Sequence, residues 1–381
     1  MPRGRSRTRT SASRRRAVRY AVIGLGHIAQ AAVLPAFRHA GRNSVLAALV
    51  SGEEKKLRQL GRRYGVQRLC DYGDVDELFA SGDIDAVYIA LPNDMHKEYT
   101  VRAARAGLHV LCEKPMAVTA RECEAMIRAT RDANVKLMIA YRLHFERANL
   151  EAAKHARTGK LGELRFFSSD FSMQVSEDNI RLRPTSEGGG PLYDIGIYCI
   201  NAARYCFAED PIKVWATATR TADRRFRNIN ETVVGAMRFR NDRLATFTCS
   251  FGATDRSTYT ITGARGSLTM DPAYEYAEGL AYEMKVGGRL LKKKFSKSDQ
   301  FAPELLYFSN CILNGRDPEP SGEEGLADVR IIEGMQRSIS KGRWESLELR
   351  QRKRRPTLRQ EIRRPAVKRK PKLVDARAAS Q

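Results

Sequence analysis

The sequence predicts an α/β protein in two parts: an N-terminal doubly wound parallel sheet, then an α/β domain on an open, mainly antiparallel sheet. Three observations predict it. Short apolar runs alternate with amphipathic stretches up to residue 142. A Gly-x-Gly loop follows the first of those runs and opens a helical stretch. From Leu164 the pattern changes to closely spaced candidate strands divided by turn residues such as Asn241-Asp242 and Gly263–Gly266.

In the first part, Val18–Ile23 reads as a buried strand and Ile28–His39 as a helix broken near Gly41. Val45–Val50 is a second strand, and Glu53–Tyr64 a helix that Gly65 ends. A short helix over Val75–Ala80 precedes a third strand, Ala86–Ala90. His96–Ala106 is a helix with Gly107 just past its end, where a residue of positive φ closes the last turn. His109–Cys112 is the fourth strand. Thr119 opens a long helix to Asn134, with Glu122 three residues on in capping-box spacing, and Leu137–Tyr141 is the fifth strand. In the second part, strands are expected over 164–171, 213–220, 231–240, 243–251, 257–262 and 266–270. Helices over 144–158, 192–208 and 323–341 would pack on one face of that sheet.

Composition bounds the function. The 381 residues are 42% hydrophobic, enough for two cores. No uninterrupted apolar run reaches eighteen residues, so no membrane span is expected. The net charge of +23 sits at the ends: residues 1–19 hold eight arginines and no acid, and residues 350–381 hold thirteen Lys or Arg against two acids. Such basic ends are expected to be disordered and solvated, with a weak anionic partner as the functional alternative. The N-terminal arginines lead straight into the first strand and lack the apolar stretch and cleavage site of an export signal. The seven cysteines include no C-x-x-C pair, which fits reduced thiols in the cytoplasm. Nothing around Cys112 suggests an activated thiolate.

Gly24-Leu25-Gly26-His27-Ile28-Ala29 has the strand–turn–helix context of a dinucleotide-binding loop in a Rossmann domain. The first glycine permits the turn, the second lets backbone approach a pyrophosphate, and Ala29 allows close packing. The helix N-terminus then attracts the anion. At the end of the second strand, where an NAD site usually has an acid, the chain has Ser51-Gly52-Glu53-Glu54-Lys55-Lys56. Ser51 and Lys56 suit a 2′-phosphate, so NADP is preferred over NAD, although Glu53 and Glu54 work against it.

Further segments fall in a recognisable order: Leu91-Pro92-Asn93-Asp94-Met95-His96, Cys112-Glu113-Lys114-Pro115-Met116, Gly188-Gly189-Gly190, Leu192 to Tyr198, and Ser321-Gly322-Glu323-Glu324-Gly325. Together with the glycine loop they resemble the glucose–fructose oxidoreductase/inositol dehydrogenase/rhizopine-catabolism (Gfo/Idh/MocA) family, over about residues 20–345. The likeness is greatest to the glucose–fructose oxidoreductase branch. The resemblance implies a cofactor domain over 20–142 and a substrate and oligomerisation domain over 143–349, flanked by the arm (1–19) and the tail (350–381). It implies cofactor contacts from Tyr72, Leu91, Pro92, Asn93, His96, Glu113, Lys114 and Arg142, and a cis Lys114–Pro115 peptide. It places His144, Arg181 and Arg183 beside the substrate and suggests a dimer or tetramer through the open sheet face. One departure is Ile180, where the branch commonly has tryptophan.

The chemistry can be argued from the residues themselves. Lys114 follows a parallel strand, at the end where open α/β sheets bind ligands, and can stabilise charge on a reacting oxygen. Its structural alternative is a salt bridge with Glu113. Asp194 and Tyr198 are four apart on an expected helix, so both project from one face. Tyr198 would exchange the proton of a sugar or polyol hydroxyl, with Lys114 as the nearby cation a phenolic base requires. Asp194 would orient substrate or phenol. No metal-ligand spacing occurs. The expected function is an NADP-dependent oxidoreductase acting on CH–OH groups of sugars or polyols. The alternatives are an idle NADP-binding sensor or scaffold, or nucleic-acid association through the basic ends.

Overall fold

The computed structural model describes residues 17–350, 355–369 and 371–379. The expected N-terminal arm lies almost wholly outside them. The first sheet grows from β1 (Val18–Ile23), whose alternate side chains are buried on both faces. The strands β2 (Ser44–Val50), β3 (Arg68–Cys70), β4 (Ala86–Ile89), β5 (His109–Glu113) and β6 (Leu137–Ala140) join it in the order β3-β2-β1-β4-β5-β6, all parallel. The order reverses between β1 and β4, which opens the crevice where this architecture binds ligands.

Helices from the same part of the chain cover this sheet: α1 (Leu34–Ala40), α2 (Glu54–Tyr64), α3 (Val75–Ala80), α4 (His96–Arg105) and α5 (Ala120–Asp132). Thr119 and Glu122 form the reciprocal capping box expected of them. The helix expected over Ile28–His39 is instead a π-helical turn, Ala29–Val33, running into α1. Pro35 lacks the N–H that an unbroken α ladder needs there, and the wider turn absorbs the break. The edge strand β3 was not legible, because three residues carry no alternation.

The second sheet has nine strands: β7 (Leu164–Gln174), β8 (Lys213–Thr219), β9 (Thr232–Arg238), β10 (Leu244–Ser250), β11 (Gly252–Gly263), β12 (Gly266–Met270), β13 (Ala281–Val286), β14 (Arg289–Lys294) and β15 (Glu345–Ser346). Their order is β14-β13-β12-β11-β7-β10-β9-β8-β15, antiparallel except for β7 beside β10. Its inner face packs against α6 (Arg147–Arg157), α7 (Ile197–Phe207) and α9 (Gly322–Lys341), while the other face is open.

Two findings depart from expectation. Helix α8 (Ala302–Leu313) lies in the second half of the chain, yet packs on α1, β1 and β2 of the first sheet. Tyr20 and Ser44 both hydrogen-bond Ser309 there at 2.8 Å, so a cut at residue 142 does not divide the molecule in space. The described part of the tail is also placed against the body. The Arg355 side chain is 7% exposed and pairs with buried Asp210, and Gln360 Nε2 donates to Glu319 O. Backbone carbonyls and single long side chains make these contacts, and basic composition does not reveal such a mode of packing. Among the described residues all seven cysteines are free and buried, and no helix is long and apolar enough to cross a membrane.

Candidate active site

A cleft of roughly 790 Å³ opens where the C-terminal ends of β1, β2, β4 and β5 face β7 and the start of α7. Its first wall is largely backbone. Gly24 has φ +90°, and a Cβ there would lie 2.5 Å from Ala90 O, so only glycine keeps β1 and β4 this close. A Cβ on Gly26 would meet nothing within 4 Å; the loop is open on the side where a dinucleotide would approach. Leu25, His27, Ile28, Ser51, Lys56, Tyr72, Leu91, Pro92 and Asn93 line the same cleft.

Lys56 is largely buried and paired with Glu53. The Ser51 hydroxyl accepts from the Glu53 N–H at 3.2 Å. The strand end therefore offers a cation and a hydroxyl, with Glu53 as the competitor the sequence flagged. An open glycine loop at a switch point, with Ser51 and Lys56 beside it, fits a phosphorylated dinucleotide.

The second wall is built from charged and aromatic side chains. Lys114 follows β5, and its cis peptide to Pro115 agrees with the resemblance. Its Nζ donates to Asp194 O at 2.7 Å and to Asp194 Oδ1 at 3.0 Å. Arg181 Nε donates to the other carboxylate oxygen, Oδ2, at 2.6 Å. Lys114 therefore pairs with Asp194 rather than with Glu113 alone. Asp194 spends its oxygens on two cations instead of on the phenol. Burial alone would raise the Asp194 pKa, but Arg181 and Lys114 more than offset it and hold the carboxyl far below its ordinary range. Burial lowers that of Lys114, yet Asp194 and Tyr198 reverse the effect and leave it raised.

Asp194 lies in a π-helical turn, Leu192–Gly196, that leads into α7, and Tyr198 sits just inside that helix. Lys114 Nζ lies 4.9 Å from the Tyr198 ring centroid and Arg142 Cζ 5.1 Å from it. Arg142 is buried and donates to Gln300 Oε1 and to Tyr274 O. The expected cofactor residue Arg142 is thus also a second cation on the expected base. Glu113 lines the cleft, accepts from Tyr88 OH at 2.8 Å, and has its pKa raised by burial.

Arg183 stands at the rim, paired with Asp94 at 3.0 Å and Glu187 at 2.7 Å. Its carbonyl explains the glycine triplet, because a Cβ on Gly189 would sit 1.8 Å from it. Asn93 Nδ2 reaches across the cleft to Gly188 O at 2.8 Å. Ile180 lines the cleft and is half exposed.

Two expected site residues lie elsewhere. His96 is fully buried between Pro115 O and Leu91 O, each 2.9 Å from a ring nitrogen. It ties the loops after β4 and β5 together without reaching the cleft. His144 is also buried, bonded through Nε2 to Asn201 Oδ1 at 2.8 Å. It shares a single 3₁₀ turn with Arg142, and positions two apart on such a turn point in different directions. Arg142 faces the cleft and His144 faces α7. The sequence reading also missed Phe171, Tyr274 and Tyr276, which line the cleft near Tyr198. The aromatic run Tyr274-Glu275-Tyr276 was the signal available.

Comparisons with known proteins agree with this geometry. A family model described as oxidoreductase family, NAD-binding Rossmann fold, matches residues 18–141, and the GFO/IDH/MocA C-terminal domain model matches residues 149–269. The crystal structure of aldose-aldose oxidoreductase from Caulobacter crescentus, complexed with glycerol, is 38% identical, with a TM-score of 0.83. That match covers 87% of this chain and 100% of the other. D-xylose 1-dehydrogenase (NADP(+)) of Haloarcula marismortui is 30% identical over 84% of this chain and 90% of its own length. The 3-ketoreductase KijD10 of Actinomadura kijaniata, in complex with NADP and TDP-benzene, is 26% identical with a TM-score of 0.77; the match covers 84% of this chain and 98% of that one.

Proposed function

The chain belongs to the GFO/IDH/MocA oxidoreductase family, and on that premise we propose that it is an NADP-dependent enzyme that interconverts a hydroxyl-bearing sugar carbon and the carbonyl. The observation that carries this reading is the Lys114–Asp194–Arg181 ion cluster beside Tyr198, inside the cleft that the glycine loop opens. Gly24, Gly26, Ser51 and Lys56 would hold the dinucleotide, and Leu91, Pro92 and Asn93 would flank its path. NADP, when bound, supplies the hydride acceptor or, in reverse, the donor.

Tyr198 takes the proton from the sugar hydroxyl and returns it in the reverse direction. Lys114 and Arg142 bring positive charge near that phenol, where charge develops during transfer. Asp194 and Arg181 act by holding Lys114, so its ammonium does not wander on its flexible stem. Phe171, Tyr274 and Tyr276 give the sugar an aromatic surface and exclude water. Free, buried cysteines fit a reducing cytoplasm. The open sheet face exposes Phe166 and Leu244 as neighbours on β7 and β10, with Val234 further along on β9, which supports a homo-oligomer joined there.

The test is a binding and turnover screen with NADPH, NADH and their oxidised forms against a panel of aldoses and sugar lactones. The reading expects tighter NADPH than NADH binding and turnover on at least one aldose. Tight binding without turnover on any sugar would favour the sensor.

A further inference from the structure

The end of the chain reaches the cofactor side of the cleft. Val374 is buried and exchanges both backbone hydrogen bonds with one side chain: Gln30 Nε2 donates to Val374 O at 2.8 Å, and Val374 N donates to Gln30 Oε1 at 2.7 Å. Gln30 is itself fully buried in the turn after the glycine loop, and its Nε2 also donates to Leu25 O at 2.8 Å. A single amide thus ties the tail to the loop. Lys55 pairs with Asp375 at 2.9 Å on the same side. On the opposite side, Ala379 O accepts from Ser176 N at 2.9 Å, and Ala378 O accepts from Asn179 Nδ2 at 3.3 Å. Residues 374–379 therefore span from the first wall to the second. Ala378 and Ala379 line the main cleft, while Asp375, Ala376 and Arg377 close an adjoining cavity of roughly 630 Å³ against Gly26, His27, Lys56 and Arg181.

We propose that residues 374–379 are a dinucleotide-binding element and that Arg377 contacts the phosphates of the bound cofactor. The inference rests on the NADP reading above and lies outside both family models, which end at residues 141 and 269. Of the charged groups facing this cavity, Lys56 shares its charge with Glu53, Arg181 is held by Asp194, Glu177 by Arg224 and Asp375 by Lys55. Arg377 is exposed on the cavity wall and pairs with no carboxylate among the described residues. Its planar N–H fork matches phosphate oxygens. A segment fastened to both walls must also move before a cofactor beneath it leaves, so release is slow.

The test uses the full chain, with NADPH and NADH affinity read by nicotinamide fluorescence and release by stopped-flow chase. Arg377→Gln is expected to weaken NADPH binding about ten- to a hundredfold, the range for a charge-assisted hydrogen bond. Lys368→Gln removes an exposed tail cation that lines neither cavity, and should change affinity less than about twofold. A loss confined to NADPH places Arg377 on the 2′-phosphate; an equal loss for NADH places it on the pyrophosphate. A chain ending at Leu373 should release both cofactors faster. Unchanged affinity and release in both variants, with normal binding by the parent protein, would overturn this inference alone. A parent protein that binds neither cofactor would overturn it together with the proposed function.

Discussion

The two walls of the cleft are made differently. The first is backbone: a glycine turn at Gly24, where a Cβ would lie 2.5 Å from Ala90 O, and an open Gly26. The second is side chain: Asp194 holds Lys114 and Arg181, and Lys114 and Arg142 lie near the Tyr198 ring. Backbone geometry binds whatever shares a pyrophosphate and carries no information about the second substrate. A charged side-chain cluster can be re-tuned one residue at a time, and it carries the chemistry. Variants on the first wall should therefore change affinity, and variants on the second should change turnover.

The largest expected effect breaks the second wall. Lys114→Met removes the cation shared by Asp194 and Tyr198 and should lower kcat by about 10²–10³. Its NADPH affinity, read by fluorescence, should change far less. Gly24→Ala breaks the first wall. A Cβ would press on Ala90 O at a positive φ, which costs roughly 1–3 kcal/mol of backbone strain. The NADPH Kd should rise about tenfold or more, while kcat at saturating cofactor stays within a fewfold of the parent.

A third effect is on stability and its pH dependence. Asp194→Asn leaves Lys114 and Arg181 without their shared anion and should cost of the order of 3 kcal/mol near neutrality. Because the Asp194 pKa is depressed in the folded state, its contribution is complete above about pH 4 and fades as the pH falls further. The Lys114 pKa is raised, so its contribution is complete below about pH 10 and is lost only above that. The Tm gap between parent and variant should stay level from about pH 5 to pH 9 and narrow below about pH 4. A gap that opens or closes near neutrality would point to a different titrating group.

The contrast between the walls also explains what the sequence disclosed. Gly24-Leu25-Gly26 announces itself because a turn that only glycine can make leaves a fixed spacing. Lys114, Asp194 and Tyr198 were found through the order of short motifs. His96 and His144 were misplaced because sequence proximity to a strand end does not fix direction, and on a tight turn two positions decide between cleft and core. Phe171 lines the cleft from a strand position that no pattern marks, whereas Tyr274 lies in the aromatic run Tyr274-Glu275-Tyr276, which was a weak signal. Helix α8 was missed because it lies in the second half of the chain and packs on the first sheet. The tail was missed for a related reason: it is held by backbone bonds to Gln30, whose buried amide in an otherwise apolar helical run was the one visible sign.

The central claim is that Tyr198 moves the proton on a wall separate from cofactor binding. It is tested most directly by a single-turnover comparison of the parent protein and Tyr198→Phe, with saturating NADP(H) and the best aldose found. The account predicts an NADPH Kd within about twofold of the parent and a single-turnover rate lower by about 10²–10⁴. A Tyr198→Phe protein that turns over at the parent rate would contradict it.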